Sequence, residues 1–182
     1  MSRSRPSGCQ PGQSLDGRLA RADGTTIEVG ILDLNYDGCG ISTPAELEPG
    51  EQLKLAVTGR GLIEAEVRWY KDGRAGLRFG FDEPQATAEI PRTNDRAGVS
   101  AEVRVRRLGR ANFNVRMFDL SPSGCRIEVV DRPRVGDQLL VKFDGIEVLQ
   151  ADVIWIEEHF AGLRFERPLH PAVFDLLVMR MQ

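Results

Sequence analysis

An internal repeat constrains this sequence more than any other feature. With an offset of 86 residues and without a gap, the segment that starts at Asp33 matches the segment that starts at Asp119. The match ends on the same letters, AGLRF, at residues 75–79 and 161–165. A repeat this long indicates tandem domains rather than the short units of a solenoid. We therefore predict two copies of one module, at residues 13–82 and 91–182, joined by a polar linker at residues 83–90.

The residue pattern within each copy predicts β-strands. In the second copy, residues 101–106 alternate apolar with polar side chains, and a turn at residues 108–112 separates them from a strand at residues 113–118. Further strand segments follow at residues 126–130, 138–143, 148–156 and 161–165. Short strands with regular turns are typical of a small antiparallel barrel. At the end of the chain, residues 172–181 place apolar side chains at helical spacing, so we predict a short C-terminal helix on the second barrel.

Composition argues against several classes of protein. No apolar run approaches the roughly 18–20 residues of a membrane helix. The first residues lack the apolar stretch of a signal peptide, so a cytoplasmic location is expected. The 3 cysteines cannot form a disulfide framework, and no Cys-x-x-Cys spacing suggests zinc. With 2 histidines, no Gly-x-Ser-x-Gly elbow and no glycine-rich phosphate loop before a helix, the sequence favours neither a catalytic site nor a metal site.

Four residues that match between the copies are expected to be buried. Cys39 and Cys125 each follow a glycine, where a small apolar side chain suits the start of a strand. Trp69 and Trp155 lie among apolar neighbours. We therefore predict that both tryptophans belong to barrel cores rather than to stacking surfaces.

Positive charge is concentrated at the start of the second copy. Residues 92–116 contain seven arginines and two acidic residues, a net charge of +5, although the whole chain has a net charge of -3. An anionic partner could dock there, or the charges could belong to a solvated strand face. Nucleic acid is a weaker candidate partner, because Phe113 within this stretch and Phe118 just after it are the only aromatic residues there that could stack on bases.

Two motifs of the second copy carry a family resemblance. Arg92 and Arg96 form an Arg-x-x-x-Arg pair before the first strand, and Asp119, Ser121 and Gly124 form an Asp-x-Ser-x-x-Gly turn one hairpin later. Together with the strand order and the terminal helix, this combination resembles the PilZ family. The resemblance covers nearly all of the chain. It implies two tandem six-stranded antiparallel β-barrels and, because many members bind it, the bacterial second messenger cyclic di-GMP as ligand.

The residue types suit such a ligand. Guanidinium groups pair bidentately with phosphate oxygens or with guanine O6 and N7, so Arg92 and Arg96 are candidates for both contacts. Asp119 and Ser121 offer acceptors for the guanine N1–H and N2–H₂ donors. Gly124 is expected to let the ligand approach the backbone. The alternative is that Asp119 and Ser121 only satisfy local backbone amides of a turn.

The first copy departs from both motifs. Pro6 and Gln10 stand where the second copy has its arginine pair, and Asn35 replaces the motif serine. Asp37 adds a carboxylate that would repel a phosphate. We therefore expect the second copy alone to bind the nucleotide and the first copy to be a degenerate partner domain.

The resemblance thus implies a cyclic di-GMP receptor, with no other cofactor expected. The linker at residues 83–90 runs directly into the arginine pair, so ligand binding is expected to change the arrangement of the two barrels and to signal to a protein partner. The main alternative is a PilZ-like protein-interaction module that does not bind the nucleotide.

Overall fold

The chain folds into two closed antiparallel barrels of six strands each, followed by one helix. The computed structural model describes residues 15–80, 97–107, 112–129 and 133–181. The first barrel consists of β1 (Leu15–Arg21), β2 (Thr26–Leu34), β3 (Gly38–Ser42), β4 (Gln52–Val57), β5 (Gly61–Lys71) and β6 (Arg74–Phe79). The second consists of β7 (Ala97–Arg107), β8 (Asn112–Ser121), β9 (Gly124–Glu128), β10 (Gln138–Lys142), β11 (Leu149–Glu157) and β12 (Phe160–Phe165), and α1 (Pro171–Met181) follows it. The predicted fold class is confirmed.

The two barrels share one strand order and one register. The order is β1-β2-β3-β6-β5-β4 in the first barrel, and the second follows the same path through β7 to β12. Cys39 faces Leu77 in the first barrel, and the equivalent Cys125 faces Leu163 in the second. A bulge interrupts the same strand pair in both barrels, just before the matched tryptophan. The register of the sequence repeat is therefore kept in the strand pairs except at the motif turn, where the second barrel has the additional pairs Asp119–Arg126 and Ser121–Gly124.

Alternating apolar side chains fill each barrel. Along β4, Leu53, Leu55 and Val57 are buried while the residues between them are not, as a strand with one face in a core requires. Cys39 and Cys125 are buried, as predicted. Desolvation raises the pKa of each thiol to about 12, so both act as small apolar residues rather than as nucleophiles.

The prediction that both tryptophans lie in barrel cores is wrong. Trp69 is 49% exposed and Trp155 is half-buried, because the bulge before each of them turns its side chain onto the outer face of the barrel. Each indole covers a glycine of the neighbouring strand. A Cβ on Gly76 or Gly162 would lie 2.1 or 2.0 Å from the indole nitrogen. The bare backbone of these glycines thus gives each ring a surface to lie on.

The main chain of the first barrel contacts a loop of the second. The Leu34 N–H donates to the Gly145 carbonyl at 2.9 Å, and the Glu147 N–H donates to the Leu34 carbonyl at 2.8 Å. Leu34 and Ile146 thereby form a parallel bridge between the barrels. Leu34 belongs to the first copy's version of the Asp-x-Ser-x-x-Gly turn, so this degenerate turn serves as a docking element.

Tyr36 extends this interface to the segment before α1. Its hydroxyl accepts a hydrogen bond from the Gln150 N–H at 2.9 Å and donates to the Gln150 carbonyl at 3.3 Å. The Tyr36 carbonyl accepts from the His170 N–H at 2.7 Å, and the preceding amide, Leu169 N–H, donates to the Pro122 carbonyl at 2.8 Å. Tyr36 and Pro122 are equivalent positions of the repeat. Two successive amides therefore connect the motif turns of the two barrels.

Helix α1 contacts both barrels, not only the second. It begins at Pro171, a position that suits proline because the first helical N–H needs no partner. Arg180 in its last turn donates to the carbonyls of Ile31 and Leu32 in the first barrel, at 2.7 and 3.0 Å, and to Gly145 in the second, at 2.7 Å. The helix buries Ala172, Val173, Phe174, Leu176 and Leu177.

Within the described ranges, no helix is long and apolar enough to cross a membrane.

Candidate functional site

The Asp-x-Ser-x-x-Gly turn joins β8 to β9 at one end of the second barrel. Asp119 and Ser121 lie at the end of β8, and Gly124 begins β9. A bulge between Met117 and Asp119 disturbs the alternation of the strand. As a result, two successive side chains, those of Phe118 and Asp119, are half-buried on the outer face. The bulge therefore places an aromatic ring beside the motif carboxylate.

A cavity of about 380 Å³ opens beside this turn. Its walls come from β8, β9, β11 and β12, and Asp119, Ser121 and Gly124 all line it. Trp155, which the sequence pattern assigned to the core, forms part of the opposite wall. The structure thus brings the three described motif residues together around one cavity, which is the candidate site.

Ser121 and Gly124 build the turn itself. The Ser121 hydroxyl donates to the Gly124 carbonyl at 3.0 Å. A Cβ on Gly124 would lie 2.0 Å from the Leu163 carbonyl oxygen of the neighbouring strand, and a Cβ on Gly38 of the first barrel would meet the equivalent oxygen at 1.9 Å. Strand pairing alone therefore requires glycine at this position. The predicted role of Gly124 in ligand approach stays a prediction.

Asp119 is paired with an arginine that neither motif contains. Arg126 faces Asp119 across β8 and β9, and its Nη2 lies 2.8 Å from the Asp119 Oδ2. The guanidinium carbon lies 5.8 Å from the Phe118 ring centroid and 5.3 Å from that of Phe160, within the range of cation–π attraction. We call these two rings the aromatic cage. Comparison of the two copies could have indicated Arg126, because they differ at this position: the equivalent residue of the first copy is Gly40.

Arg92 and Arg96 lie outside the described residues. The residue after Arg96 is Ala97, which begins β7 and faces Leu120 of β8. The next residue, Gly98, faces Asp119. The chain therefore enters the second barrel directly beside the motif turn.

The equivalent surface of the first barrel is smaller and differently charged. Its cavity measures about 200 Å³ and is lined by Asn35, Asp37, Trp69 and Arg78 among others. The Asp37 Oδ2 lies 3.7 Å from the Arg78 Nε, so the extra carboxylate is only loosely balanced. Its lining also includes Arg68, so it holds two basic residues and one acidic residue, whereas the described lining of the second-barrel cavity holds two of each.

A larger open groove of about 930 Å³ lies elsewhere on the first barrel. Its lining includes two acidic residues, Asp16 and Glu28, and one basic residue, Arg18. Arg18 is paired with Glu28 at 3.2 Å. The groove therefore offers no excess positive charge to an anionic ligand. Across the described ranges, no group of three or more His, Cys, Asp or Glu residues is placed to hold a metal ion.

The fold defines a protein with two small β-barrels in tandem, and the second barrel carries the cavity beside the Asp-x-Ser-x-x-Gly turn. The PilZ domain model matches residues 13–90 and again residues 90–179. The chain therefore belongs to the PilZ domain family and contains two such domains. The resemblance seen in the sequence is confirmed.

Several solved structures resemble this chain over most of its length. PlzA from Borreliella burgdorferi, solved in complex with cyclic di-GMP, is 12% identical, with 92% of this chain and 87% of that chain covered and a TM-score of 0.38. The inhibitor of motility MotI (DgrA) from Bacillus subtilis is 10% identical, with 94% and 97% covered and a TM-score of 0.39. YcgR from Escherichia coli, solved in complex with cyclic di-GMP, is 17% identical, with 91% and 81% covered and a TM-score of 0.35. No curated protein matches the chain.

Proposed function

We propose that this protein is a cyclic di-GMP receptor that binds the nucleotide on its second barrel and signals through the arrangement of its two barrels. One observation carries the proposal. Asp119 and Ser121 line the same cavity, and the strand that begins right after Arg96 runs beside them. The described strand that follows the arginine pair therefore runs beside the Asp-x-Ser-x-x-Gly turn, which supports a site shared by both motifs. Membership of a family in which many proteins bind this nucleotide supports the choice of ligand.

Different residues of the site contact different parts of the ligand. Arg92 and Arg96 supply bidentate donors for the phosphates. Asp119 accepts from guanine N–H groups, and the Ser121 hydroxyl oxygen can still accept a hydrogen bond while it donates its proton to the Gly124 carbonyl. Trp155 on the opposite wall offers a face on which a base can stack.

Calorimetric titration with cyclic di-GMP tests the site. Arg92→Ala and Arg96→Ala should each weaken binding by roughly 5- to 150-fold, because one bidentate arginine contact contributes about 1–3 kcal/mol. Asp33→Ala, which changes the first-barrel equivalent of Asp119, is the matched control and should bind like the wild type. Wild-type affinity in both arginine variants would refute the site, as would an equal loss in Asp33→Ala.

The matched tryptophans provide a second readout of which barrel binds. A Trp69→Phe variant retains only Trp155, which lines the second-barrel cavity, and its fluorescence should change on titration. A Trp155→Phe variant retains only Trp69 of the first barrel, and its fluorescence should not respond. The opposite pattern would assign the ligand to the first barrel.

Main-chain hydrogen bonds connect the ligand-binding turn of the second barrel to the first barrel, so they can transmit the effect of ligand binding. Pro122 of the motif turn accepts from the Leu169 N–H, and Tyr36 of the first barrel accepts from the next amide, His170 N–H. A ligand that moves the turn acts directly on this connection. It shifts the arrangement of the barrels only to the extent that it binds one arrangement more tightly than the other. The linker at residues 83–90, the hinge expected from sequence, lies outside the described residues.

The change in arrangement is tested by a distance between two labels. Lys54 on β4 and Gln138 on β10 are both exposed, so cysteines placed there in a variant with the native cysteines replaced can carry spin labels. Saturating cyclic di-GMP should shift the distribution of distances between them. An unchanged distribution together with normal binding would refute the rearrangement and leave the binding site intact. Absence of binding altogether would favour the interaction-module alternative.

A further inference from the structure

We propose that Arg126 is a specificity-determining residue that, together with Asp119, reads the edge of a guanine base. The inference rests on the proposed binding of cyclic di-GMP and adds a residue that neither motif contains. Three observations carry it: the ion pair with Asp119, the aromatic cage and the difference between the two barrels.

The ion pair presents an acceptor beside a donor. The Arg126 Nη2 and the Asp119 Oδ2 are 2.8 Å apart, and both residues line the cavity. Guanine carries the complementary pattern, because its N1–H and N2–H₂ donors lie beside the O6 acceptor, with N7 as a further acceptor. Adenine has an amino donor where guanine has O6. A carboxylate next to a guanidinium therefore favours guanine over adenine.

The aromatic cage and the ion pair with Asp119 together restrict the position of the guanidinium. Arg126 lies 5.8 and 5.3 Å from the centroids of Phe118 and Phe160, whose rings meet edge to face at 5.3 Å. An arginine held in this way loses little side-chain entropy when it binds a ligand. It is also a fixed donor, which is what recognition of a planar base edge requires. Arginines on a loop are better suited to wrap a phosphate.

The first barrel lacks this arrangement. Gly40 stands at the position of Arg126, and Leu32 and Arg74 stand at the positions of the two cage aromatics. Leu34 faces Cys39 as Leu120 faces Cys125, but Asp119 also pairs with Arg126, whereas the irregularity of the first barrel extends from Ile31 to Leu34. Both the side chains and the local strand pairing therefore differ, and the second barrel alone has this means of recognising guanine.

The test compares affinities for cyclic di-GMP and cyclic di-AMP, which share their sugars and phosphates and differ in their bases. Arg126→Ala should weaken cyclic di-GMP binding by roughly 5- to 150-fold, the loss expected of one bidentate base contact. The same variant should lose less affinity for cyclic di-AMP, and only by the factor that removal of a charge from the cavity causes. Arg164→Ala removes an equal charge from the same cavity and is the matched control, so it should change both affinities by the same factor.

Two results would overturn the role of Arg126. One is a loss of cyclic di-GMP affinity smaller than about fivefold, and the other is an equal loss for both nucleotides. If the wild type binds cyclic di-AMP too weakly to measure, the change in affinity for cyclic di-GMP alone tests the role of Arg126. Arg126→Lys keeps the charge but lacks the planar guanidinium, so it should lose part of the affinity for cyclic di-GMP. This variant is used instead if Arg126→Ala does not fold. Failure of the proposed function looks different: the wild type does not bind cyclic di-GMP, or Arg92→Ala and Arg96→Ala both bind it normally.

Discussion

Replacing Gly124 with alanine should lower the free energy of unfolding by about 3–5 kcal/mol, the upper end of the range for a single substitution. The added Cβ would lie 2.0 Å from the Leu163 carbonyl oxygen. Because that atom belongs to the backbone of β12, no side chain can move aside to relieve the clash. The pairing of Gly124 with Arg164 and of Cys125 with Leu163 would have to open. Chemical denaturation of the purified variant measures the loss.

Gly38→Ala is the matched control for this substitution. Its Cβ would meet the Leu77 carbonyl oxygen at 1.9 Å, so its loss of stability should be of the same size. Because Gly124 and the residues that it pairs with line the second-barrel cavity, Gly124→Ala should also lose affinity for cyclic di-GMP, and Gly38→Ala should not. A midpoint of denaturation equal to that of the wild type in either variant would contradict the steric argument.

Arg180→Ala should separate the unfolding of the two barrels. The side chain donates to carbonyls of Ile31 and Leu32 in the first barrel and of Gly145 in the second. Burial lowers the pKa of this guanidinium, so the three carbonyls must replace its lost hydration. Hydrogen bonds to charged groups contribute about 1.5–3 kcal/mol each and are not additive, so we expect a total loss of roughly 3 kcal/mol. Scanning calorimetry should show one transition for the wild type and two for the variant.

An exposed arginine provides the control for Arg180. Arg18 forms a surface ion pair with Glu28, and both side chains are exposed. Arg18→Ala should therefore change stability by less than about 0.5 kcal/mol and leave a single transition. If Arg180→Ala also unfolds in one transition at the wild-type temperature, the helix does not couple the barrels through this residue.

The strands could be predicted because the chain alternates apolar with polar residues and does so twice. The same rule failed at Trp69 and Trp155. Val67 is buried, so strict alternation would bury Trp69 as well. A bulge between them adds one residue to the strand and turns the tryptophan outward. Nothing in the local residue pattern marks this bulge, since it depends on the partner strand.

The candidate site was predicted only in part. The motif turn could be located because its residues are close in sequence. Arg126 contacts Asp119 across a strand pair and belongs to no motif, although the exchange with Gly40 between the copies pointed to it. The contact of Leu34 with Gly145 had no sequence signal, because backbone hydrogen bonds do not depend on residue type.

The connection between the two motif turns is made of peptide groups. Leu169 and His170 contribute their N–H groups to it, and Pro122 and Tyr36 contribute their carbonyls. Alanine substitution keeps every one of these atoms. An alanine scan would therefore detect the Tyr36 side chain and pass over the connection itself, which only a change in the backbone, such as an ester in place of the Leu169 amide, removes. The two turns therefore stay joined through substitutions at these positions that leave the backbone in place.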